Sequence, residues 1–190
     1  MNVYDFDGTI YDGDSTVDFF LYALKKQPSL IAYIPKQFWG FVLYGLKRIG
    51  KTELKEYFFA FLPAIDAEKM AEDFWDRNRK KIFSWYPEQH RFDDIVISAS
   101  PEFLLQPICQ RLGIDRLIAS RVDVRTGKFV GENCRGPEKV RRLEAEYQVT
   151  RIDQFYSDSD SDLPLARIAD QAYLIKKGEI QVWKGLNDNG

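Results

Sequence analysis

The chain has 190 residues, enough for one domain or for a domain with a modest insertion. Apolar residues make up 45% of the chain and aromatic residues 15%, so a sizeable hydrophobic core can form. The formal net charge of -2 argues against a general nucleic-acid-binding protein, and we expect no nucleic-acid partner.

The histidine and cysteine content restricts the chemistry further. The chain has one histidine, His90, which argues strongly against a histidine-based triad or zinc site. Because it lies in a polar stretch, we expect it to be a surface residue. Cys109 and Cys134 lie far apart without metal-site spacing, which indicates reduced thiols in a cytoplasmic protein. The chain starts directly with a strand motif, so we expect no signal peptide.

The first predicted element is a short strand that leads into two aspartates, in the sequence VYDFDGTI of residues 3–10. Residues two apart in a strand point to the same side, so Asp5 and Asp7 would share a face if the strand continued. Gly8 ends the strand and permits a sharp bend. Two carboxylates this close are unfavourable without a cation or a proton. The motif therefore indicates a site where a bound cation or a proton relieves this repulsion, and the two alternatives stay open at this stage.

A calcium loop is the first alternative for the acidic runs. An EF-hand loop requires glycine at its sixth position and glutamate at its twelfth. Counted from Asp5, these positions hold Ile and Thr; counted from Asp158, they hold Leu and Ala. Neither run fits a calcium loop of this type.

Residues 12–82 read as almost entirely helical. A turn at 12–15 offers helix N-caps, and an amphipathic helix over 16–26 is stopped by Pro28. Apolar residues then recur at helical spacing from Ser29 to about Ile82. We therefore predict roughly seventy helical residues inserted between the first strand and the second.

Residues 30–46 are apolar on nearly every side of the predicted helix and carry basic flanks. A membrane-spanning helix needs about 20 mostly apolar residues, and this run is shorter and interrupted at 35–37, so we expect no span. Two interpretations stay open. The segment either forms the core of a helical cap or lies at a membrane interface, where its aromatic and basic residues suit the headgroup region.

Strands and helices alternate after this insertion. The apolar run 95–97 predicts a strand buried on both faces. We expect Ser100 to cap the next helix, with Pro101 at its first position and Gly113 beyond its end. Further on, the sequence predicts a strand at 117–124, a turn at 125–128, a helix from Pro137 to about Tyr147, a strand at 152–156, a short helix at 163–169 and a final hairpin of 172–175 with 180–183. This alternation predicts an α/β fold, a Rossmann-like and mostly parallel sheet with helices on both faces.

Polar residues follow three of these strands. Asp5 and Asp7 follow the first, Ser98 follows the second, and an acidic run at 158–162 follows a later one. Sites in such sheets lie at the carboxyl ends of the strands, so these groups should meet. Lys139 adds a cation in the first turn of a helix, where the helix dipole disfavours it unless an anion is bound.

These residues resemble the four motifs of the haloacid dehalogenase-like hydrolase superfamily. The motifs are DFDGT at residues 5–9, Ser98, Lys139 and SDSDSD at 157–162. The helical insertion after the first motif resembles the cap of the phosphoserine phosphatase-like subgroup, subfamily IB. Details near residues 117–120, 134–139 and 156–159 are similar to phosphatidylglycerophosphatase C-type proteins. The resemblance implies a catalytic core of residues 1–12 and 86–190 and a helical cap domain of residues 13–85.

The resemblance also implies roles for individual residues. Asp5 would be the nucleophile that forms an aspartyl-phosphate, and Asp7 the general acid and base. A Mg²⁺ ion would be held by Asp5, by the backbone carbonyl of Asp7 and by Asp158. Ser98 and Lys139 would bind the phosphoryl oxygens.

Other positions would assist. Asp162 would orient Lys139 or a metal-bound water. Residues implied at the substrate site are Gly8, Thr9, Asp14, Ser98, Ala99 and Lys139.

The chain departs from this subgroup where substrate specificity is set. Asp14 stands where phosphoserine phosphatases have glutamate, which puts serine phosphate in doubt, and Ser161 replaces the usual asparagine. No cap arginine for a substrate carboxylate is evident; Arg48 and Lys51 are the candidates.

The sequence thus predicts a magnesium-dependent phosphomonoesterase. Its substrate would be a small-molecule or lipid-linked phosphate, and contact of the cap with a membrane surface stays open. A phosphomutase or phosphotransferase with the same site is one alternative. A non-catalytic phosphate-binding protein of the same fold is another.

Overall fold

The computed structural model describes residues 1–184, which form eight strands. Their bounds are β1 (Asn2–Tyr4), β2 (Ile95–Pro101), β3 (Arg116–Ser120), β4 (Val122–Asp123), β5 (Lys128–Phe129), β6 (Ile152–Ser157), β7 (Ala169–Lys176) and β8 (Glu179–Val182). Six of them form one sheet in the order β3-β2-β1-β6-β7-β8, while β4 and β5 form a separate hairpin. Within the six-stranded sheet, pairing is parallel except between β7 and β8. The predicted α/β fold with a mostly parallel sheet is confirmed.

Eight α-helices accompany the sheet in the described residues. They are α1 (Ser15–Lys26), α2 (Ile34–Gly45), α3 (Lys51–Phe58), α4 (Ala67–Asn78), α5 (Trp85–Gln89), α6 (Glu102–Arg111), α7 (Pro137–Tyr147) and α8 (Leu163–Ala166). Helices α1 to α5 all lie between β1 and β2, so the predicted helical cap after the first strand is confirmed. The predicted boundaries of cap and core stay a prediction, and positions 185–190 of that core lie outside the described residues.

The sheet is covered on both faces because alternate strand residues point in opposite directions. Tyr4 and Val96 belong to one hydrophobic cluster, whereas their neighbours Val3 and Ile95 belong to the other. The first cluster also contains Trp75 of α4, whose indole donates a hydrogen bond to a backbone carbonyl of α6 at 2.6 Å. Part of the inserted helical region is therefore packed into the core beside the sheet.

Two predicted elements have different bounds. The strand expected at 117–124 is divided in two, because β3 ends at Ser120 and Val122–Asp123 turn away as β4 to pair with β5. The helix expected at 163–169 was too long. It ends at Ala166, since Ala169 already pairs with Ile152 as the first residue of β7.

His90 is not the surface residue that we expected. Its ring is partly buried, with its centroid 5.6 Å from that of Tyr86, and its Nε2 atom is buried without a hydrogen-bond partner in the described structure. Cys109 and Cys134 are both free and buried, as expected of unpaired thiols.

Helix α2 faces the opposite way from a core helix. Its buried positions are Gln37 and Gly40, while Phe38 and Trp39 are 66% and 55% exposed. The Gln37 amide donates to the Phe58 carbonyl at 2.9 Å. Gly40 lies so close to α3 that an added Cβ would come within 2.5 Å of the neighbouring tyrosine side chain. The interpretation of residues 30–46 as cap core is therefore wrong for the exposed apolar residues of α2, whereas Leu30 at the start of the segment is fully buried in the core.

Candidate active site

The polar clusters meet at the carboxyl edge of the sheet, as expected. Asp5 directly follows β1, and its backbone N–H donates to the Tyr156 carbonyl of β6 at 2.9 Å. Asp158 lies just past the end of β6, and Ser98 lies within β2. A cavity of about 550 Å³ opens above this edge, between the sheet and the cap.

The cavity brings together most of the residues singled out in the sequence. Those that line it are Asp5, Asp7, Gly8, Asp14, Ser98, Ala99, Lys139, Asp158 and Asp162. Ser161, which replaces the usual asparagine, and Lys51, a candidate for binding a substrate carboxylate, line it too. Thr9 and Arg48 are not among the lining residues. The Thr9 side chain is fully buried, and its hydroxyl has no hydrogen-bond partner in the described structure. Contact between Thr9 and a substrate is thus not supported.

Gly8 allows the first and last acidic motifs to approach each other. Its φ angle of 69° lies in the left-handed region that favours glycine. A Cβ at this position would stand 2.1 Å from Oδ2 of Asp158. The glycine therefore serves both the turn after Asp7 and the close approach of the Asp158 carboxylate.

Asp7 is held by two hydrogen bonds. Its Oδ1 accepts from the Ser15 backbone N–H at 2.6 Å, and its Oδ2 accepts from the Ser100 hydroxyl at 2.5 Å. Burial and the nearby Asp14 carboxylate raise the pKa of Asp7 to about 6. A carboxyl group with this pKa can exchange protons near neutral pH, as a general acid and base must.

Ser100 does not cap the following helix, so that prediction was wrong. Strand β2 continues through Pro101, and α6 begins only at Glu102. The hydroxyl of Ser100 is instead used by Asp7, and it also lies 3.0 Å from the Thr16 hydroxyl of α1. Ser98 and Ser100 share one strand face by the two-residue period, a signal that could have identified Ser100 as a site residue.

Lys139 joins two of the acidic motifs. It is 2% exposed, and its Nζ donates to Asp5 Oδ1 and to Asp162 Oδ2, both at 2.7 Å. The Ser157 hydroxyl also donates to Asp162 Oδ2, at 2.9 Å. The contact between Lys139 and Asp162 agrees with the expectation that Asp162 orients Lys139. Because Lys139 is buried, it is not an exposed lysine on a charged helix.

The charges in this cluster affect one another. Burial raises the pKa of Asp5 to about 7, although the Lys139 ammonium acts in the opposite direction. Burial alone would lower the pKa of Lys139, but Asp5 and Asp162 raise it above its usual value. The lysine is therefore a fixed positive charge beside Asp5.

The predicted magnesium ligands fit that ion by their chemistry. No group of three or more His, Cys, Asp or Glu side chains within residues 1–184 is arranged to hold a metal. The predicted set contains only two carboxylates, from Asp5 and Asp158, plus the Asp7 carbonyl, so the remaining positions would fall to water and substrate. All are hard oxygen donors, and Mg²⁺ characteristically keeps several waters beside one or two carboxylates. The close approach of Asp158 to Gly8 brings its carboxylate to the first motif.

A group of cations on the cap side of the cavity was largely missed. Lys51, Lys55 and Arg135 all line it, and only Lys51 was singled out in the sequence. Lys55 donates to the Ala99 carbonyl at 2.7 Å, and burial lowers its pKa to about 8. Its spacing of four residues from Lys51 on a predicted helix places both on one face, a signal that was available in the sequence.

The cavity thus has three kinds of wall. Carboxylates and Lys139 form the floor at the sheet edge, and the cations just described lie on the cap side. The apolar side chains in the lining are Val17, Phe41, Leu54 and Phe58. Such a cavity suits a ligand whose anionic group binds at the floor and whose remaining part is partly apolar.

A Rossmann-like sheet with a helical cap and an aspartate-rich floor is typical of hydrolases that use an aspartate. The sequence pattern of the haloacid dehalogenase-like hydrolases matches residues 3–167. The chain belongs to this family.

Curated relatives cover nearly the whole chain. Protein CicA of Caulobacter vibrioides is 28% identical over an alignment of 200 positions, which covers 93% of this chain and 86% of the relative. A histidinol-phosphatase of Neisseria meningitidis is 28% identical over an alignment of 224 positions, which covers 98% of each chain.

Solved structures show the same fold. A Bordetella pertussis protein of unknown function has a TM-score of 0.75 at 19% identity, covering 90% of this chain and 87% of the other. A phosphoserine phosphatase solved as a phospho-aspartyl intermediate analogue has a TM-score of 0.54 at 16% identity, covering 90% and 83%. The phosphoserine phosphatase-like fold is therefore confirmed; the resemblance to phosphatidylglycerophosphatase C-type proteins stays a prediction.

Proposed function

We propose that this protein is a magnesium-dependent phosphatase that hydrolyses phosphate monoesters through an aspartyl-phosphate. The observation that carries the proposal is the buried contact of Lys139 with Asp5 at the end of β1. It places a fixed positive charge 2.7 Å from one carboxylate oxygen, in a cavity that Asp158 also lines. Phosphoryl transfer requires this combination of a positioned nucleophile and charge neutralisation.

The first half of the reaction forms the enzyme ester. Asp5 attacks phosphorus, the bond from phosphorus to the ester oxygen breaks, and Asp7 donates a proton to the departing alcohol. Ser98 and Lys139 bind the phosphoryl oxygens, and the hydrogen bonds from Ser15 and Ser100 hold the Asp7 carboxyl group in place.

The second half releases phosphate. Asp7, now deprotonated, takes a proton from a water molecule, which attacks the phosphorus of the aspartyl-phosphate and restores Asp5. When bound by Asp5, the Asp7 carbonyl and Asp158, Mg²⁺ would supply further neutralisation of phosphoryl charge.

The substrate belongs to one of two classes. The relatives named histidinol-phosphatase and phosphoserine phosphatase support a small phosphorylated metabolite, and the cap-side cations support one with a second negative group. The apolar lining residues support a lipid-linked phosphate instead. Asp14 caps α1, accepting a hydrogen bond from the Val17 backbone N–H at 3.0 Å, so it is only partly available to a substrate.

The test is hydrolysis of a generic aryl phosphate with Mg²⁺. Asp5→Asn should lower kcat on the order of 10⁴-fold, because the amide cannot attack phosphorus. Asp160→Asn is the matched control, since Asp160 is exposed and does not line the cavity. Equal inertness of wild type and Asp5→Asn, with both folded, would contradict the proposal and favour a phosphate-binding protein.

A phosphomutase with the same site is separated by the fate of the phosphoryl group. In ¹⁸O-labelled water, a phosphatase releases phosphate that contains the label. A mutase returns the phosphoryl group to the substrate without label.

A further inference from the structure

The outer face of α2, defined here as Ile34, Phe38, Trp39 and Phe41, is exposed although all four side chains are large and apolar. Surface helices normally turn their apolar stripe toward the core and their polar residues toward water. In α2 this arrangement is inverted, because the polar Gln37 faces the protein. Exposed apolar neighbours at Ile31 and Leu46 extend the surface at both ends of the helix.

The segment that carries this face, residues 19–52, has charges of one sign, although Glu53 and Glu56 of α3 line a cavity together with Lys36. Residues 19–52 contain six Lys or Arg residues and no Asp or Glu, a net charge of +6 in a chain whose total is -2. These cations are Lys25, Lys26, Lys36, Lys47, Arg48 and Lys51. All six are exposed, and they lie before, within and just after α2. We therefore expect the partner that covers this face to be apolar where it contacts the centre of the face and negatively charged where it contacts the rim.

We propose that the outer face of α2 docks on an anionic lipid surface. A helix that lies at such an interface buries Trp, Phe and Leu at the boundary of headgroups and acyl chains, while Lys and Arg contact the headgroups. Tryptophan and tyrosine are enriched at that depth, and α2 carries both, in Trp39 and the exposed Tyr44. No helix in residues 1–184 is long and apolar enough to cross a membrane. In the proposed contact, α2 lies on the lipid surface.

The docked face adjoins the candidate active site. Phe41 belongs to the outer face of α2 and also lines the cavity, next to the exposed Val17 of α1. The lipid surface would therefore lie beside the cavity. Binding to the surface does not require the proposed phosphatase activity, and the two can be tested separately.

The experiment is flotation of the full chain with vesicles of phosphatidylcholine alone or of phosphatidylcholine with phosphatidylglycerol. We expect the wild type to float with the anionic vesicles and to bind the neutral ones at least about tenfold more weakly. Trp39 fluorescence should shift to shorter wavelength on binding, and the Trp39→Phe variant should lose this shift.

Two variants separate the apolar and the charged contributions. Phe38→Ser with Trp39→Ser should lower vesicle binding at least about tenfold, and so should Lys36→Glu with Lys47→Glu. The control for the first is Phe92→Ser, since Phe92 is 87% exposed and precedes the amino end of β2, at the opposite end of the sheet. The control for the second is Lys80→Glu with Lys176→Glu, two exposed lysines outside residues 19–52.

The outcomes decide between occupants of the face. Equal flotation of the α2 variants and their controls would overturn the proposal, as would absence of wild-type binding to anionic vesicles. A wild-type dimer in solution that Phe38→Ser with Trp39→Ser converts to a monomer would also overturn it, in favour of a second copy of this chain. Aryl phosphate hydrolysis by the same variants should be unchanged, so loss of binding is separable from failure of the phosphatase proposal.

Discussion

The carboxyl edge of the sheet and the outer face of α2 depart from normal burial in opposite directions. At the sheet edge, charged groups such as Lys139 and Asp162 are buried, although charged residues are rarely buried without partners. On α2, large apolar groups such as Phe38 are exposed. Burial of the charges at the sheet edge is offset within the chain by the ion pairs of Lys139 with Asp5 and Asp162. The exposed apolar side chains of α2 have no such compensation within the described residues, and the partner proposed to cover them is an anionic lipid surface.

The two regions also differ in how firmly they are fixed. The groups at the sheet edge are linked by hydrogen bonds across three strands and one helix. The outer face of α2 has no comparable network, because its side chains extend away from the protein. Substitutions should therefore affect folding and catalysis at the edge, but affect mainly binding on α2.

The largest effect is expected for Lys139→Met. It leaves the Asp5 and Asp162 carboxylates buried without the shared ammonium, so the free energy of unfolding should fall by about 3–5 kcal/mol. Aryl phosphate hydrolysis should fall at least about a hundredfold. Chemical denaturation and steady-state kinetics measure the two effects. Lys80→Met is the control for loss of an exposed lysine.

A variant that keeps the charge addresses the possibility that Lys139→Met does not fold. Lys139→Arg should recover part of the stability, since it retains a cation for Asp5. Its activity should stay low, because the guanidinium has a different shape and reach. Wild-type activity in either variant would contradict the assigned role.

A smaller effect is expected from the pH dependence of substrate capture. The Lys55 ammonium is positive below its pKa of about 8 and attracts anionic substrates. As the pH rises through this value the charge is lost, so kcat/KM for an aryl phosphate should fall above pH 8. In Lys55→Met, kcat/KM should be lower below pH 8, and the decline above it should be absent. An unchanged decline in the variant would show that another group titrates.

The smallest effect on folding is expected for Phe38→Ser. Because Phe38 is exposed, its replacement should change the free energy of unfolding by no more than about 0.5 kcal/mol. Phe74→Ala, at a fully buried phenylalanine of α4, should cost about 3–5 kcal/mol. Thermal or denaturant unfolding of both variants measures the contrast. A large loss for Phe38→Ser would mean that the outer face of α2 is packed against protein.

The convergence of the acidic motifs was predictable because it rests on local rules. Asp5 and Asp158 each follow an apolar strand, and the carboxyl ends of parallel strands meet at one edge. Lys139 could be identified as a site residue because a cation in the first turn of a helix conflicts with the helix dipole. These inferences need only the order of elements along the chain.

The orientation of α2 was not predictable in the same way, and for Lys55 the sequence indicated only the helix face that it shares with Lys51. A helix that is apolar on nearly every side gives no preferred buried face, and the close contact of Gly40 with α3 decides its rotation. Lys55 enters the site only because α3 packs beside the β4–β5 hairpin, where Glu56 accepts a hydrogen bond from the Phe129 backbone N–H at 3.1 Å. Such contacts depend on tertiary packing rather than on periodicity.

The pairing of β1 has a consequence for how the protein is synthesised. This strand is translated before both of its partners, and one of them, β6, follows about 150 positions later. One edge of β1 therefore stays without its neighbour β6, and the Asp5 carboxylate without Lys139, until those later residues have been translated. Folding of the sheet around the first motif is thus a late event, because it follows translation of the intervening helical region.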